Sequence, residues 1–168
     1  EPIIPNPSNA RLGQVTVNTK DLSKPVVEIE FSSIVNLIAG DDNAVASLNF
    51  QLFRICDEDE PILVNNWIYE FYEIDASRSI RLSTSFSFIF CECICPAKCC
   101  DYFVEVSVGG LKFIDTISVT DVHIAALAGE SKGNKKKDLL FCGQGESGGF
   151  TNTSMPPIIV GSVIADTR

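Results

Sequence analysis

Apolar and polar residues alternate along most of the chain with the period of two that is typical of β-strands. In Ser83–Cys91, Phe86, Phe88 and Phe90 fall on one face, and the residues between them fall on the other. In Tyr102–Val108, valines form the apolar face. The predicted strands are Gly13–Thr19, Val26–Ser33, Leu48–Cys56, Ile62–Ile74, Ser83–Cys91, Tyr102–Val108 and Leu111–Leu127. This alternation favours antiparallel sheets with one buried and one wet face.

Interruptions of the alternation predict bulges and turns. The apolar phase slips between Leu52 and Phe53, as a β-bulge would cause. Turn-forming residues separate the strands at Ala39–Asn43, Asp57–Pro61, Asp75–Ser79 and Gly109–Gly110. No long helical stripe is present, and His123–Gly129 is expected to make at most one short helical turn. Many short strands joined by turns predict an all-β fold, an antiparallel β-sandwich or jelly roll.

A polar, lysine-containing stretch divides the chain into three parts. Gly129–Asp138 (GESKGNKKKD) has no strand character and is predicted to be a flexible linker. Residues 1–128 are then the β-sandwich core. Residues 139–168 are a C-terminal connector with its own strand-like runs, LLFCG and IIVGSVIADT.

The C-terminal connector repeats the first predicted strand. Leu12–Lys20 (LGQVTVNTK) aligns without gaps with Val160–Arg168 (VGSVIADTR). A segment with this pattern fits the first-strand position of a neighbouring molecule, where main-chain hydrogen bonds supply affinity and alternate side chains supply register. The predicted donor-strand residues are Val160, Val163, Ile164 and Thr167.

Such a head-to-tail contact propagates into a linear polymer of copies of the chain unless it closes into a ring. One alternative is a longer tandem array, cut where its next repeat starts. The other is a monomer whose tail folds back on its own sheet.

Seven cysteines, an odd count, indicate cross-linking. Those in the core are Cys56, Cys91, Cys93, Cys95, Cys99 and Cys100. Disulfides among them would staple one end of the sandwich. A zinc site and free thiols are the alternatives, although the spacing differs from the paired knuckles of most structural zinc sites. If the six pair internally, Cys142 remains for an intermolecular disulfide; an exchange that also leaves a core cysteine open is equally allowed.

Charge and motifs argue against several other functions. A net charge of -9 disfavours nucleic acids and anionic membranes as partners, and no apolar run of about 20 residues could span a bilayer. Gly143–Gly149 contains GxGxxG, but no helix pattern follows to hold a dinucleotide. Ser147 in GESGG lacks the histidine and aspartate arrangement of a serine protease, since His123 is the chain's single histidine. We expect neither an enzyme nor a cofactor.

A binding module is the main alternative to a structural role. Asp41–Asn43 and Asp57–Glu60 offer carboxylates for Ca²⁺, without the ligand spacing of a known loop. Trp67, Tyr69, Phe71 and Tyr72 could form a glycan-binding face, although their alternation favours the core for most of them. Asn152 begins a glycosylation sequon by pattern alone.

Four segments resemble an uncharacterised family of clostridial cysteine-rich β-domain proteins. They are FSS at Phe31–Ser33, LNFQLFRICD at Leu48–Asp57, SFSFIFCEC at Ser85–Cys93 and CCDYFVEV at Cys99–Val106. LLFCGQG at Leu139–Gly145 resembles the segment that normally opens that family's domain. More loosely, the arrangement is similar to the endospore appendage (Ena) subunits of spore-forming bacteria.

The resemblance to appendage subunits implies a jelly roll, a terminal connector whose cysteines bridge to neighbouring subunits, and robust fibres. The connector is C-terminal here, whereas the family pattern puts it first. Tandem repetition, or a connector that reaches the other way, would explain the difference. We therefore expect a structural subunit of an extracellular fibre or of a cell or spore surface.

Overall fold

A computed structural model describes residues 9–40, 43–73, 79–94 and 99–130. These residues form seven strands: β1 (Ala10–Asn18), β2 (Pro25–Ala39), β3 (Val45–Cys56), β4 (Ile62–Tyr72), β5 (Ile80–Cys93), β6 (Cys99–Lys112) and β7 (Ile114–Glu130). Within these ranges there is no helix with the length and apolarity needed to cross a membrane.

The strands form two antiparallel sheets. The first sheet has the order β1-β6-β3-β4, and the second has the order β5-β2-β7. Their apolar faces pack on each other, so the prediction of an all-β antiparallel sandwich is confirmed. The edges of the first sheet are β1 and β4, and those of the second are β5 and β7.

Aromatic side chains at the centre of the sandwich join the two sheets. Phe50 of β3 stacks on Phe86 of β5, with ring centroids 4.1 Å apart. Phe31 of β2 lies 6.0 Å from Phe50 and 5.0 Å from Phe88, measured between ring centroids. Phe50 is fully buried. The predicted inward phase of the phenylalanines of β5 is therefore correct, since Phe86 and Phe90 also pack against the core.

A bulge lies beside the predicted position, but its extra residue is Val64 of β4, and the inward phase of β3 continues to Cys56. The β3–β4 register shifts between Leu52 and Phe53, where the apolar phase slips. One predicted turn is wrong. Gly109–Gly110, predicted to be a turn, lies inside β6 instead. A Cβ atom on Gly109 would lie 2.9 Å from the hydroxyl of Ser47, at a register shift between β3 and β6. The glycine therefore serves a close approach of two strands, and the chain turns later, at Phe113.

The last strand begins and ends three residues later than predicted. His123–Gly129 is extended and pairs with β2, so the expected short helical turn is wrong. Pairing along a neighbouring strand overrides the helix propensity of its alanines and leucine. Gly129 and Glu130, the first two residues of the predicted linker, also belong to β7. The Glu130 carboxylate accepts hydrogen bonds from the backbone N–H and hydroxyl of Ser23, which lower the pKa of Glu130.

The aromatic run of β4 mainly serves the core. Tyr69 and Phe71 are buried, and Trp67 stacks on Phe88 with ring centroids 3.7 Å apart. Tyr72 is 55% exposed on the opposite face. The four aromatic side chains therefore do not share a face that could bind a glycan.

Candidate functional site

One end of the sandwich is covalently closed. Cys56 ends β3 directly opposite Cys100 in β6, and the two form a disulfide. Next to it, the Asp57 backbone N–H donates to the Cys99 carbonyl oxygen (2.9 Å), and the Cys99 N–H donates to the Asp57 carboxylate (3.2 Å). The Asp57 carboxylate thus helps to hold β3 and β6 together at this end of the sandwich.

Three more cysteines lie around the same end. Cys91 and Cys93 lie at the C-terminal end of β5. The Cys91 Sγ lies 3.5 Å from a carboxylate oxygen of Glu28. Cys93 is exposed and Cys99 is half-buried, and neither forms a disulfide with another described residue. Cys95 and Cys142 lie outside the described residues. The structure therefore places thiols at the surface of the disulfide-bonded end.

A polar network ties the two sheets together beside the disulfide. Glu92 of β5 accepts hydrogen bonds from the Arg54 guanidinium of β3 and the Tyr102 hydroxyl of β6, each 2.6 Å long. Tyr102 is fully buried. Burial, and secondarily the Glu92 carboxylate, raise the pKa of Tyr102 far above its usual value, so its hydroxyl remains a donor. The network satisfies polar groups that would otherwise be costly to bury.

The Glu92→Ala substitution is expected to lower the free energy of unfolding by about 2 kcal/mol, because it leaves the Arg54 charge and the Tyr102 hydroxyl without their acceptor. Urea unfolding measures the change. Glu30→Ala, which removes an exposed carboxylate from the outer face of the same sheet, should stay within about 0.5 kcal/mol of wild type. Equal losses in the two variants would show that the network stabilises nothing.

Sequence reasoning missed this network, although a signal was present. Glu92 has the same alternation phase as Phe86, Phe88 and Phe90, which the sequence predicts to face inward. A carboxylate in an inward phase indicates a buried partner.

β1, the strand that the connector is predicted to imitate, is an edge strand of its sheet. At Gly13 it lies close to side chains of β7 in the other sheet. A Cβ atom on Gly13 would lie 3.1 Å from the Ile124 Cγ2 and 3.5 Å from the Val122 Cγ1, both in β7. Val15 packs against the core, and Val17 is buried. The position of β1 therefore requires a glycine, followed by apolar residues in the inward phase.

The residues at the C-terminal end of β1 are also constrained, by burial and by hydrogen bonds. Thr19 is fully buried, and its carbonyl oxygen accepts a hydrogen bond from the Leu22 N–H. The Asn18 side-chain oxygen accepts a hydrogen bond from the Lys20 N–H at 3.0 Å. The predicted donor-strand residues of the connector, Val160, Val163, Ile164 and Thr167, lie outside the described residues.

Two of the edge strands, β4 and β7, lack some of the features that prevent edge-to-edge pairing, although each contains a bulge and at least one acidic residue. β4 and β7 contain no lysine, arginine or proline. Ile68 of β4 is 63% exposed, and Leu127 of β7 is 70% exposed. Natural edge strands are commonly protected by charges, prolines or bulges, and unprotected ones readily accept another strand.

Residues 6–129 match the model of a family described as a domain of unknown function (DUF4489). The chain belongs to this family. The DUF4489 domain includes nearly all of the seven strands, with the disulfide-bonded end and the Glu92 network. Cys142 and the predicted donor strand lie beyond the matched residues. Neither the curated proteins nor the solved structures that were compared with the chain include a match.

The described part of the DUF4489 domain contains no group of three or more histidine, cysteine, aspartate or glutamate side chains that could hold a metal ion. His123 is exposed on β7, with Ser32 of β2 as its partner in register. The geometry of this domain thus offers strand edges and thiols as its distinctive chemistry.

Proposed function

We propose that the protein is a self-assembling structural subunit of an extracellular or spore-surface fibre, joined to its neighbours by strand exchange and disulfides. One observation carries the proposal: the connector repeats β1 at three of its four inward positions, Gly13, Val15 and Thr19. The proposed role needs neither catalysis nor a cofactor.

The agreement follows the inward face of β1. Gly161 stands where Gly13 approaches β7, and Val163 stands where Val15 packs against the core. Thr167 corresponds to the buried Thr19.

One difference lies on the inward face, where the smaller Ala165 stands in place of the buried Val17. Four others, Ser162, Ile164, Asp166 and Arg168, replace exposed residues. Asp166 replaces Asn18 and retains a side-chain oxygen that can accept the turn hydrogen bond. Ile164 replaces Thr16, which is exposed. The connector is therefore suited to the position of β1 beside β6.

In each molecule β1 already occupies the position beside β6. The connector can therefore bind there only by replacing β1, which is strand exchange. In the proposed polymer, Val160–Thr167 of one molecule takes the place of β1 in the next. The surfaces on the two molecules differ, so the contact is repeated in one direction and builds a linear assembly.

Cysteines are proposed to lock this joint. Cys142 of the connector and a cysteine of a neighbouring molecule form a disulfide when both thiols lose their hydrogen atoms to an oxidant such as dioxygen. An oxidising compartment is also where the Cys56–Cys100 disulfide would persist, which supports an extracellular location.

Native protein should run as a ladder of covalent oligomers on a denaturing gel without reductant, and Cys142→Ser should collapse the ladder to a single band. The ladder is expected because Cys142 forms a disulfide at each joint between molecules, and serine cannot form this bond. The observation of only monomer in unreduced native material would contradict the proposal.

Strand exchange is tested separately with reductant present. Gly161→Val should reduce assembly strongly, since it places a branched side chain where β1 nearly touches β7. Ser162→Val is the matched control, because it corresponds to the exposed Gln14 and should assemble as wild type does. Light scattering of the full chains measures both; equal behaviour of the two variants would argue against exchange at β1.

A further inference from the structure

The pairing of the strands leaves one position of the sandwich open. The chain folds back on itself between β3 and β4, and earlier strands pair with later ones in nested order: β3 with β4, β2 with β5, and β1 with β6. The next pair in this order joins β7 to a strand that precedes β1. Among the described residues, β7 pairs only with β2, and its sheet has three strands against four in the other. An eight-stranded jelly roll would have an additional strand at this edge.

The half of β7 that follows its bulge is chemically suited to another strand. Asp121 adopts a positive φ of 50°, and the β2–β7 register shifts beside it. Beyond this bulge, His123–Gly129 pairs continuously with β2, and Val122–Gly129 (VHIAALAG) contains no acidic, lysine, arginine or proline residue. Eight uncharged residues at a sheet edge, with one row of backbone groups facing outward, form a template for pairing.

The inner face at this edge is also incompletely covered. The inward side chains of this half of β7, Val122, Ile124, Ala126 and Ala128, are only partly buried, whereas Val27 and Ile29 of the adjacent β2 are fully buried. A strand beside β7 would cover part of this apolar row.

The N-terminal segment of the chain is a poor occupant. Residues 1–8 contain prolines at positions 2, 5 and 7, and each proline removes a backbone donor and disrupts a ladder of hydrogen bonds. The connector is a better candidate for the strand beside β7. Its β1-like segment is preceded by the strand-like run Leu139–Cys142 (LLFC), so a strand precedes a β1-like strand in the order that the nested pairing requires.

We propose that the free edge of β7, over Val122–Gly129, receives the Leu139–Cys142 strand of a second copy of the chain as an eighth antiparallel strand. This inference rests on the proposed function in one respect, that the connector leaves its own molecule. Four residues span about 13 Å, half of the available edge.

The linker favours a neighbour over the same molecule. A return onto its own β7 would need a hairpin, and hairpin loops commonly have about 2–5 residues. Residues 131–138 separate β7 from Leu139 and include Lys132, Lys135, Lys136 and Lys137. Like charges at this density repel one another and extend a linker away from the strand that it leaves.

Hydrogen exchange of the full chain tests the inference. All samples carry Cys142→Ser, so that association is reversible. At high protein concentration, the amides of Val122–Gly129 that do not bond to β2 should exchange at least tenfold more slowly than in a dilute sample. Leu140→Pro should abolish this protection, because proline cannot take part in the ladder.

Val163→Pro is the matched control. It disrupts the β1-like segment but leaves Leu139–Cys142 unchanged, so the amides of β7 should remain protected while exchange at β1 fails. Protection that persists on dilution would show a strand from the same molecule and overturn the inference. So would protection that is absent at high concentration or that survives Leu140→Pro. Protected β7 amides in discrete dimers would support this inference while contradicting the fibre.

Discussion

Phe50→Ala is expected to lower the free energy of unfolding by about 4 kcal/mol, the largest effect of any single substitution in the core that we anticipate. Phe50 is fully buried and contacts the rings of Phe31 and Phe86, both in the opposite sheet. Its removal therefore loses apolar burial and opens a cavity where the two sheets meet, and close-packed neighbours relax only partly into such a cavity.

Phe53→Ala provides the control on the same strand. Phe53 lies on the outer face of β3, is half-buried, and stacks on Phe103 with ring centroids 5.3 Å apart, outside the main core. Its loss should cost about 1 kcal/mol. Urea unfolding of the two variants measures the difference; equal losses would mean that the centre of the sandwich is not packed as described.

These two phenylalanines also show what the sequence could predict. The slip of the apolar phase between Leu52 and Phe53 predicted a bulge in β3, but the extra residue is Val64 of the partner strand β4, and the inward phase of β3 continues to Cys56. The slip arises because Phe53 is an apolar residue on the outer face, where it stacks on Phe103. Where alternation is clear, as in Phe86, Phe88 and Phe90, the buried face follows directly from the pattern.

The same reasoning failed where local chemistry and tertiary pairing disagree. Ile34–Ala39 has apolar residues in both phases, so alternation gave no strand, yet this stretch is the C-terminal part of β2 and pairs with both β5 and β7. Gly109–Gly110 has the composition of a turn, but a turn and a close approach of two strands both require glycine. Whether such glycines form a turn or lie within a strand depends on which residues of the neighbouring strand lie opposite them.

The candidate site was predictable in its composition but not in its pairing. Clustered cysteines predicted a cross-linked end, whereas the choice of Cys56 and Cys100 depends on the register between β3 and β6. Register is a relation between segments far apart in the chain, and one sequence contains no direct signal for it. The donor strand and Cys142 remain predictions for the same reason: their partners are set by assembly.

Removal of the Cys56–Cys100 disulfide, by the double substitution Cys56→Ala and Cys100→Ala, is expected to lower the free energy of unfolding by about 3 kcal/mol. The two residues are 44 positions apart, so the bond excludes many extended conformations of the unfolded chain. The unfolded variant should therefore expose more surface, and the dependence of its stability on urea should become steeper.

Two controls distinguish the loss of this disulfide from a general loss of stability. Cys93→Ala replaces an exposed thiol at the same end and should change stability by less than about 0.5 kcal/mol. Reductant should destabilise the wild-type protein to the level of the double variant and leave that variant unchanged, because only the wild type has this bond to lose. If reductant weakened both equally, another disulfide of the chain would carry the stabilisation, and the Cys56–Cys100 bond would not be what closes this end of the sandwich.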